Sequence, residues 1–440
     1  MAPSSPSKDV VTYSNLNPRT TKLEFFGVPG TLLLVTILPP VLYGLYFSCS
    51  EELGGCPPNL YYLVVYIRQR FSNYDGWMSI CDSEAAAVFA GWLIYCLVCW
   101  RILPGDWVEG QKIRNGTVQK YKINALPTLL FTLGLVFGWI YNFGPSSFTF
   151  LYDHYLGFIT TTTIFSYVVA FLLYIGSFGP NKVLALAGNS GYRIHDFWIG
   201  RELNPTLGSL DFKVWSELRP GMIGWVLINI SCACEQAVRR GGSITDSMAL
   251  VLLFQGIYVF DALYNEVSVL TTMDVTTDGF GLMLVFGDYA WVPLTYSLQA
   301  RFLAFNPVEL GWGWVAVILA MNLLGYYVFR SSNAEKNDFR NGKNPKGLSF
   351  METKRGTKLL TSGWWGMSRH PNYMGDLIMG FSWCMPTGFT TPVTYFYFIY
   401  FCILLAHRQR RDDEACEKKY GDDWTEYKKL VPYRIFPGIY

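Results

Sequence analysis

The chain has 440 residues, of which 51% are hydrophobic, 17% aromatic and 15% charged. With a mean hydropathy of +0.21, this balance excludes an ordinary soluble protein of two or three domains and indicates an integral membrane protein. A formal net charge of +2 excludes the strongly basic surface of a nucleic-acid-binding protein.

Long apolar stretches predict transmembrane helices. The residues before the first stretch are rich in Ser and Pro and lack the features of a cleaved secretory signal. We therefore expect an all-α integral membrane protein, with residues 1–25 as a cytosolic tail and 26–440 as one multi-pass domain. About ten transmembrane helices are predicted, at 28–47, 85–103, 126–143, 156–178, 221–237, 247–263, 281–299, 309–328, 376–386 and 391–406. Because 221–237 and 376–386 are polar or short, nine or eleven helices are also compatible with the sequence.

Basic loops predict the orientation. Segment 330–370 carries nine Lys and Arg against three acidic residues, and loop 104–125 is also basic. The positive-inside rule places both loops, the N-terminus and the tail in the cytosol, where the tail would form a C-terminal cap. Cys49 and Cys56 flank the opposite loop, and the pattern leaves a lumenal disulfide between them open.

Two polar segments interrupt the apolar pattern before residue 280. In residues 196–220, the adjacent Arg201 and Glu202 point in different directions on a helix, so each needs its own partner. A plain loop with a turn at Asn204-Pro205 explains this segment equally well. In residues 258–278, Tyr258, Asp261 and Asn265 fall on one helical face. Such a polar row is costly inside a bundle unless it has a role, and a solvated helix end is the alternative.

Residues 363–377 combine two Trp with Arg, His, Asn, Tyr and Asp directly before an apolar run. This density of hydrogen-bonding groups favours a functional site over a belt of Trp, Tyr and Arg that anchors the protein at the membrane interface. The tail that follows has nearly balanced charges and by itself is typical of a solvated helix, with Arg408 and Asp412 as an i,i+4 pair. Together the two segments supply cations for a polyphosphate and aromatic rings for a base. No Rossmann or P-loop fingerprint is present, so a nucleotide would need another kind of site.

Three motifs carry a family resemblance: LLTSGWWG at 359–366, RHPNYMGDL at 369–377 and RQRRDDEACEKKYG at 408–421. They resemble the sterol reductase family of endoplasmic-reticulum membrane enzymes. GRELNP at 200–205, with the region 270–301, is similar to the sterol C-14 reductase branch rather than to the C-7 or C-24(28) branches. Thr206 departs from that branch, which usually has Arg there.

The resemblance implies NADPH as the hydride donor and residues 330–440 as the cofactor-binding half. Lys336 and Arg340 are expected to contact the phosphates, including the 2′-phosphate. Trp365, Asn372 and Tyr373 are expected on the nicotinamide side. The other expected cofactor residues close the pocket from the tail or lie in the matching motifs: Asp412, Cys416, Lys419, Tyr420, Tyr427, Leu360 and Arg408.

The implied reaction is reduction of the C14=C15 double bond of a sterol intermediate in ergosterol-type biosynthesis. An unactivated alkene does not accept hydride directly, so a proton must come first. We expect Tyr258, working with Asp412, to supply it. The residues alone leave Glu266, Asp274 and His407 as rivals. No metal is expected, since four His are too few for a multi-histidine centre.

The expected partners are a sterol and the lipid bilayer of the endoplasmic reticulum, with other enzymes of sterol biosynthesis as candidates and no nucleic acid. Three alternatives remain: a C-7 or C-24(28) sterol reductase, a non-catalytic sterol-binding protein on the same fold, and a methyltransferase of the isoprenylcysteine carboxyl type. The last class shares an Arg-His-Pro-x-Tyr-x-Gly element but is usually much shorter.

Overall fold

The computed structural model describes residues 16–56 and 59–440 and is mostly helical, as predicted. The helices are α1 (Gly27–Phe47), α2 (Leu60–Arg70), α3 (Tyr74–Met78), α4 (Ser83–Ile102), α5 (Ala125–Phe143), α6 (Phe150–Asp153), α7 (Tyr155–Gly176), α8 (Arg193–Ile199), α9 (Phe212–Ser216), α10 (Met222–Arg239), α11 (Asp246–Tyr264), α12 (Glu266–Val269), α13 (Met273–Thr276), α14 (Leu282–Phe286), α15 (Val292–Thr295), α16 (Leu298–Phe305), α17 (Gly311–Arg340), α18 (Trp364–Met367), α19 (Pro371–Cys384), α20 (Phe396–Tyr420) and α21 (Asp422–Leu430).

The strands form antiparallel two-stranded hairpins, and short π and 3₁₀ turns join several helices. The hairpins pair β1 (Asp106–Lys112) with β2 (Val118–Ile123), β3 (Thr206–Leu207) with β4 (Leu210–Asp211), and β5 (Phe350–Glu352) with β6 (Lys358–Leu360). The π turns are Glu217–Gly221 and Gly287–Trp291; the 3₁₀ turns are Glu51–Leu53, Pro145–Phe148, Met385–Thr387 and Val393–Tyr395.

Within the described residues, seven helices are long and apolar enough to cross a membrane. They are Gly27–Phe47, Tyr74–Ile102, Ala125–Phe143, Tyr155–Gly176, Phe212–Arg239, Asp246–Tyr264 and Gly311–Arg340. The predicted count of ten is therefore not confirmed. Predicted span 281–299 is divided among α14, a π turn, α15 and α16. Predicted span 376–386 starts in the 14-residue α19 and ends in a 3₁₀ turn, and 391–406 includes a second 3₁₀ turn before it enters the charged α20.

The chain divides into two compact units, Met1–Ser243 with Gln255–Phe305, and Ile244–Phe254 with Asn306–Tyr440. In the first unit a disulfide joins Cys49 and Cys56. Arg239, at the end of α10, donates two hydrogen bonds of 2.9 Å to the carboxylate of Glu51, which lies between the two cysteines.

The polar segment 196–220 of the first unit is explained by local contacts. Arg201 lies over the Phe178 ring at 3.8 Å, whereas the Glu202 carboxylate accepts from Lys182 at 2.8 Å. The two neighbours thus have separate partners, as predicted. Asn204 donates to the Asp211 carboxylate at 3.1 Å, and this contact supports the turn reading of the segment.

In the second unit, α17 and α19 cross in close, antiparallel contact. A Cβ on Gly375 would lie 2.6 Å from the Phe329 nitrogen and 2.7 Å from the Gly325 oxygen, so only glycine lets these backbones approach. The Asn322 amide donates to the Ser382 hydroxyl at 2.8 Å farther along the same pair. This crossing brings the start of α19 alongside the end of α17.

The 30 residues of α17 rise about 45 Å, roughly 15 Å more than the hydrocarbon core of a bilayer. The apolar first part of the helix can span that core, and its last turns, from Arg330 to Arg340, project beyond it. These turns position the predicted phosphate-binding cations.

Candidate functional site

The last turns of α17 hold the indole of Trp365 at two points. The Trp365 Nε1–H donates to the Ser332 carbonyl at 2.8 Å, and the Lys336 ammonium lies 3.9 Å from the centre of the ring. Trp365 is buried, and Lys336 is half-buried. The Trp365 ring and the Lys336 ammonium are therefore held together before any ligand binds, which suits a ligand that contacts both an aromatic face and a positive charge.

Backbone pairing fixes the segment that leads into α19. The Arg369 nitrogen donates to the Tyr433 carbonyl at 3.0 Å, and the His370 nitrogen donates to the Arg434 carbonyl at 2.9 Å. Pro371 then begins the helix, a position where its missing N–H costs nothing. The C-terminal residues thus hold the start of α19 in place.

The first turn of α19 presents polar side chains next to Asp412 of α20. The Tyr373 hydroxyl lies 3.5 Å from an Asp412 carboxylate oxygen, and His370 Nδ1 lies 4.0 Å from the same oxygen. The His370 and Tyr373 rings stack with centroids 4.8 Å apart. The side-chain oxygen of Asn372 is buried and has no hydrogen-bond partner among the described residues. It remains available to a donor such as a carboxamide.

Burial and nearby charges shift the titration of this group. Desolvation raises the pKa of Asp412, although Lys336 and Arg408 partly oppose that rise. Desolvation, together with Lys336 and Arg369, lowers the pKa of His370 to about 3. His370 is therefore neutral at physiological pH, and Asp412 is easier to protonate than a solvent-exposed aspartate.

The tail beyond Asp412 forms an aromatic cluster. Trp424, Tyr427 and Val431 form a buried cluster against which Cys416 and Tyr420 pack. The Trp424 ring stacks with those of Tyr420 and Tyr427, at centroid distances of 6.2 and 5.1 Å. Desolvation raises the pKa of Cys416, so its thiol stays protonated at neutral pH.

The remaining predicted cofactor residues belong to the same unit. Leu360 is buried at the end of β6 and Arg408 is half-buried on α20, one turn before Asp412. Arg340 is exposed as the final residue of α17, and Lys419 is exposed with its ammonium 4.9 Å from the Tyr420 ring. Residues separated by almost a hundred positions thus belong to one region.

Tyr258 lies on α11 in the first unit, where its ring is 6.2 Å from that of Trp225. Its cooperation with Asp412 of the second unit stays a prediction. Of the rival proton donors, Glu266 has a structural explanation: it is buried, accepts from the Ala125 nitrogen at 2.8 Å and pairs with Arg219 at 3.1 Å. Removing either member of such a buried pair is expected to be strongly destabilising.

Three contact residues were not predicted from the sequence. Ser332 and Glu335 hold the Trp364-Trp365 segment, the latter by accepting from the Trp364 nitrogen at 2.9 Å. Asp413 accepts from the Trp424 indole at 2.9 Å and lies 3.3 Å from the Arg369 guanidinium. Their only sequence signal was a position adjacent to a predicted residue, for Glu335 and Asp413, or one helical turn before it, for Ser332.

The residues present fit a dinucleotide. The cations of α17 suit phosphate, the aromatic cluster suits a base, and the unpartnered Asn372 oxygen suits a nicotinamide carboxamide. The chemistry is that of a polar, partly buried site at one end of a transmembrane helix.

Fold and site define a polytopic helical membrane protein with a polar cluster at the end of α17. The chain belongs to the Ergosterol biosynthesis ERG4/ERG24 family, whose pattern matches residues 15–440. It is 46% identical to Delta(14)-sterol reductase erg24 of Schizosaccharomyces pombe over 421 residues, covering 95% of this chain and 97% of that protein. Identity with Delta(14)-sterol reductase ERG24 of Saccharomyces cerevisiae is 44% over 451 residues, covering 97% and 100%. With Delta(14)-sterol reductase LBR of Gallus gallus it is 41% over 420 residues, covering 94% of this chain and 64% of that protein.

Proposed function

We propose that this chain reduces the C14=C15 double bond of a sterol. The observation that carries the proposal is similarity along nearly the whole chain to Delta(14)-sterol reductases, at 46% identity with that of Schizosaccharomyces pombe. The family membership favours a reductase over the methyltransferase alternative.

The proposed cofactor is NADPH, bound by the second unit. Lys336 and Arg340 contact its phosphates, and Trp365, Asn372 and Tyr373 orient the nicotinamide. The support is chemical: Lys336 is already ordered over Trp365 at 3.9 Å, and the buried Asn372 oxygen lacks a donor among the described residues. The remaining members of the set close the pocket from the tail or lie in the matching motifs: Leu360, Arg408, Asp412, Cys416, Lys419, Tyr420 and Tyr427.

The reaction needs a proton and a hydride in that order. Tyr258, assisted by Asp412, donates a proton to C15, and the π electron pair becomes the new C–H bond. A tertiary cation remains at C14. NADPH held by the second unit would supply the hydride for C14, so that the C14–C15 bond becomes a single bond. The raised pKa of Asp412 suits a group that must hold or pass a proton near neutral pH.

The proposed setting is the endoplasmic reticulum membrane, with both termini in the cytosol. Three helical segments beyond the seven long ones would also cross the membrane under this proposal. The basic loops 104–125 and 330–370 support that orientation, because positive charge is retained on the cytosolic side. The charged tail would then cap the cofactor site from the cytosol.

Sterol profiling tests the function. A strain that lacks its own Δ14 reductase is complemented with this chain, and its sterols are separated by gas chromatography. Δ14 sterols should accumulate in the empty strain and disappear on complementation. Persistence of Δ14 sterols, with the protein present in the membrane, would contradict the proposal. Disappearance of Δ7 or Δ24(28) sterols instead would assign the chain to another branch.

A further inference from the structure

Glu335 is a buried carboxylate immediately before Lys336 on α17. Its side chain is 3% exposed. One carboxylate oxygen accepts from the Trp364 backbone nitrogen at 2.9 Å, and the other lies 3.3 Å from the Lys346 ammonium. Burying a carboxylate carries a large desolvation penalty, which contacts to both of its oxygens offset. The contacts with Trp364 and Lys346 therefore explain how Glu335 is buried.

Glycine at position 363 makes this contact possible. Gly363 has a φ of +66°, in the left-handed region that L side chains rarely adopt. A Cβ there would lie 2.5 Å from Glu335 Oε1. The carboxylate is therefore packed directly against the backbone that turns into α18.

Neighbouring positions of the same helix hold the next residue. Ser332 accepts from the Trp365 indole at 2.8 Å, and Lys336 lies over its ring at 3.9 Å. Glu335 binds the backbone one residue earlier and does not contact the indole through any described hydrogen bond or ring contact. Its effect on Trp365 must pass through the Trp364 peptide.

We propose that Glu335 is a positioning residue, which sets the Trp365 indole for the nicotinamide end of the cofactor by binding the Trp364 N–H. This inference rests on the proposed cofactor site. It assigns to Glu335 a role in cofactor affinity and orientation without contact between Glu335 and cofactor or sterol.

Three substitutions distinguish the effect of the position of the Glu335 carboxylate from the effect of its charge. Glu335→Asp keeps the charge but withdraws the carboxylate by one methylene, and Glu335→Ala removes the acceptor. Each should raise the KM for NADPH about tenfold, as expected for a lost hydrogen bond to a charged group, with the sterol KM unchanged. Glu335→Gln keeps a carbonyl acceptor and should remain within about threefold of wild type.

Glu352→Ala is the matched control, since Glu352 is an exposed carboxylate of the same unit, paired with Lys358 at 3.5 Å. Its NADPH KM should equal that of wild type. The thermal midpoint of every variant is measured in the same detergent, so that kinetics are compared only between folded proteins. If Glu335→Ala does not fold, Glu335→Asp carries the comparison.

A double-mutant cycle with Trp365→Phe decides between positioning and general stabilisation. If Glu335 acts through the indole, Glu335→Asp should add little to the effect of Trp365→Phe. Independent, additive effects would overturn the inference, as would a Glu335→Asp enzyme with the wild-type NADPH KM. If Trp365→Phe itself leaves that KM unchanged, the proposed cofactor site fails and the inference fails with it.

Discussion

Replacing Lys336 by alanine tests whether the end of α17 binds cofactor phosphate. The Lys336 ammonium is half-buried and lies 3.9 Å from the Trp365 ring, so it is held near one position before any ligand arrives. A preordered cation loses little side-chain entropy when it binds an anion. The substitution removes this charge and leaves the helix, since alanine is a strong helix former.

The expected size of the effect follows from the two contacts that are lost. A charge-assisted hydrogen bond to phosphate contributes about 1.5–3 kcal/mol, which corresponds to roughly a 10- to 150-fold rise in the KM for NADPH. Loss of the ring contact, about 0.5–1 kcal/mol, affects both nucleotides and should raise the KM for NADH by no more than about fivefold. Arg340→Ala should act in the same direction but less, because Arg340 is exposed.

The assay is steady-state reduction of a Δ14 sterol by purified protein, with NADPH or NADH as the varied substrate. Lys358→Ala is the control, since Lys358 also lies over an aromatic ring, that of Phe350 at 4.3 Å, but is not a predicted cofactor residue. It should leave both Michaelis constants unchanged. Equal effects of Lys336→Ala on NADPH and NADH would remove Lys336 from the 2′-phosphate role.

Three further outcomes are expected. Tyr258→Phe should leave NADPH binding nearly intact and lower turnover by about 10²-fold or more; turnover of a Δ14 sterol at the wild-type rate would show that Tyr258 is not the proton donor. Arg408→Ala should lower activity, because it removes a cation that opposes the rise in the pKa of Asp412. Wild-type kinetics in this variant would show that Arg408 and Asp412 are only an ion pair on a solvated helix face. The third outcome concerns the pH dependence of stability. The pKa of His370 is about 3 in the folded protein, below its ordinary value of 6.5, so the unfolded chain binds a proton that the folded chain does not. The free energy of unfolding therefore falls as the pH drops through 6.5 towards 3. His370→Gln should abolish up to about 2 kcal/mol of the stability lost between pH 7 and pH 5, as read from thermal unfolding in detergent; an unchanged pH dependence would contradict the neutral, buried imidazole.

Local patterns predicted much of the helical content. Nearly all of the apolar stretch at 309–328 lies in α17, and the tail beyond residue 407 is helical to Leu430 apart from a break at Gly421, as its charge spacing suggested. The sequence did not show that the last predicted span and this tail are one helix, α20, running from Phe396 to Tyr420. Hydropathy ends a span where charge begins, whereas backbone hydrogen bonding continues across that boundary.

Span 281–299 shows where periodicity fails. The π turn Gly287–Trp291 divides it shortly before Pro293, and the other π turn contains Pro220. Proline lacks the N–H that an α-helix would use, so the backbone changes its hydrogen-bonding pattern nearby. An apolar composition does not reveal this change.

The motif residues of the candidate site could be selected from the sequence because they have unusual chemistry in short patterns. The residues that hold them could not. Glu335 looked like one of three acids in a basic segment, and Asp413 like one charge in a mixed tail. Their roles depend on contacts with Trp364 and Trp424, 29 and 11 positions away, which only the folded chain brings together.

The central claim is tested most directly by following the hydride. Purified protein is given a Δ14 sterol and NADPH that carries deuterium at the transferred position of the nicotinamide, and the product is analysed by mass spectrometry and NMR. The account predicts one deuterium per product molecule, located at C14, with the hydrogen at C15 coming from solvent. A product labelled at C15, an unlabelled product, or no reduction by the folded protein would contradict it.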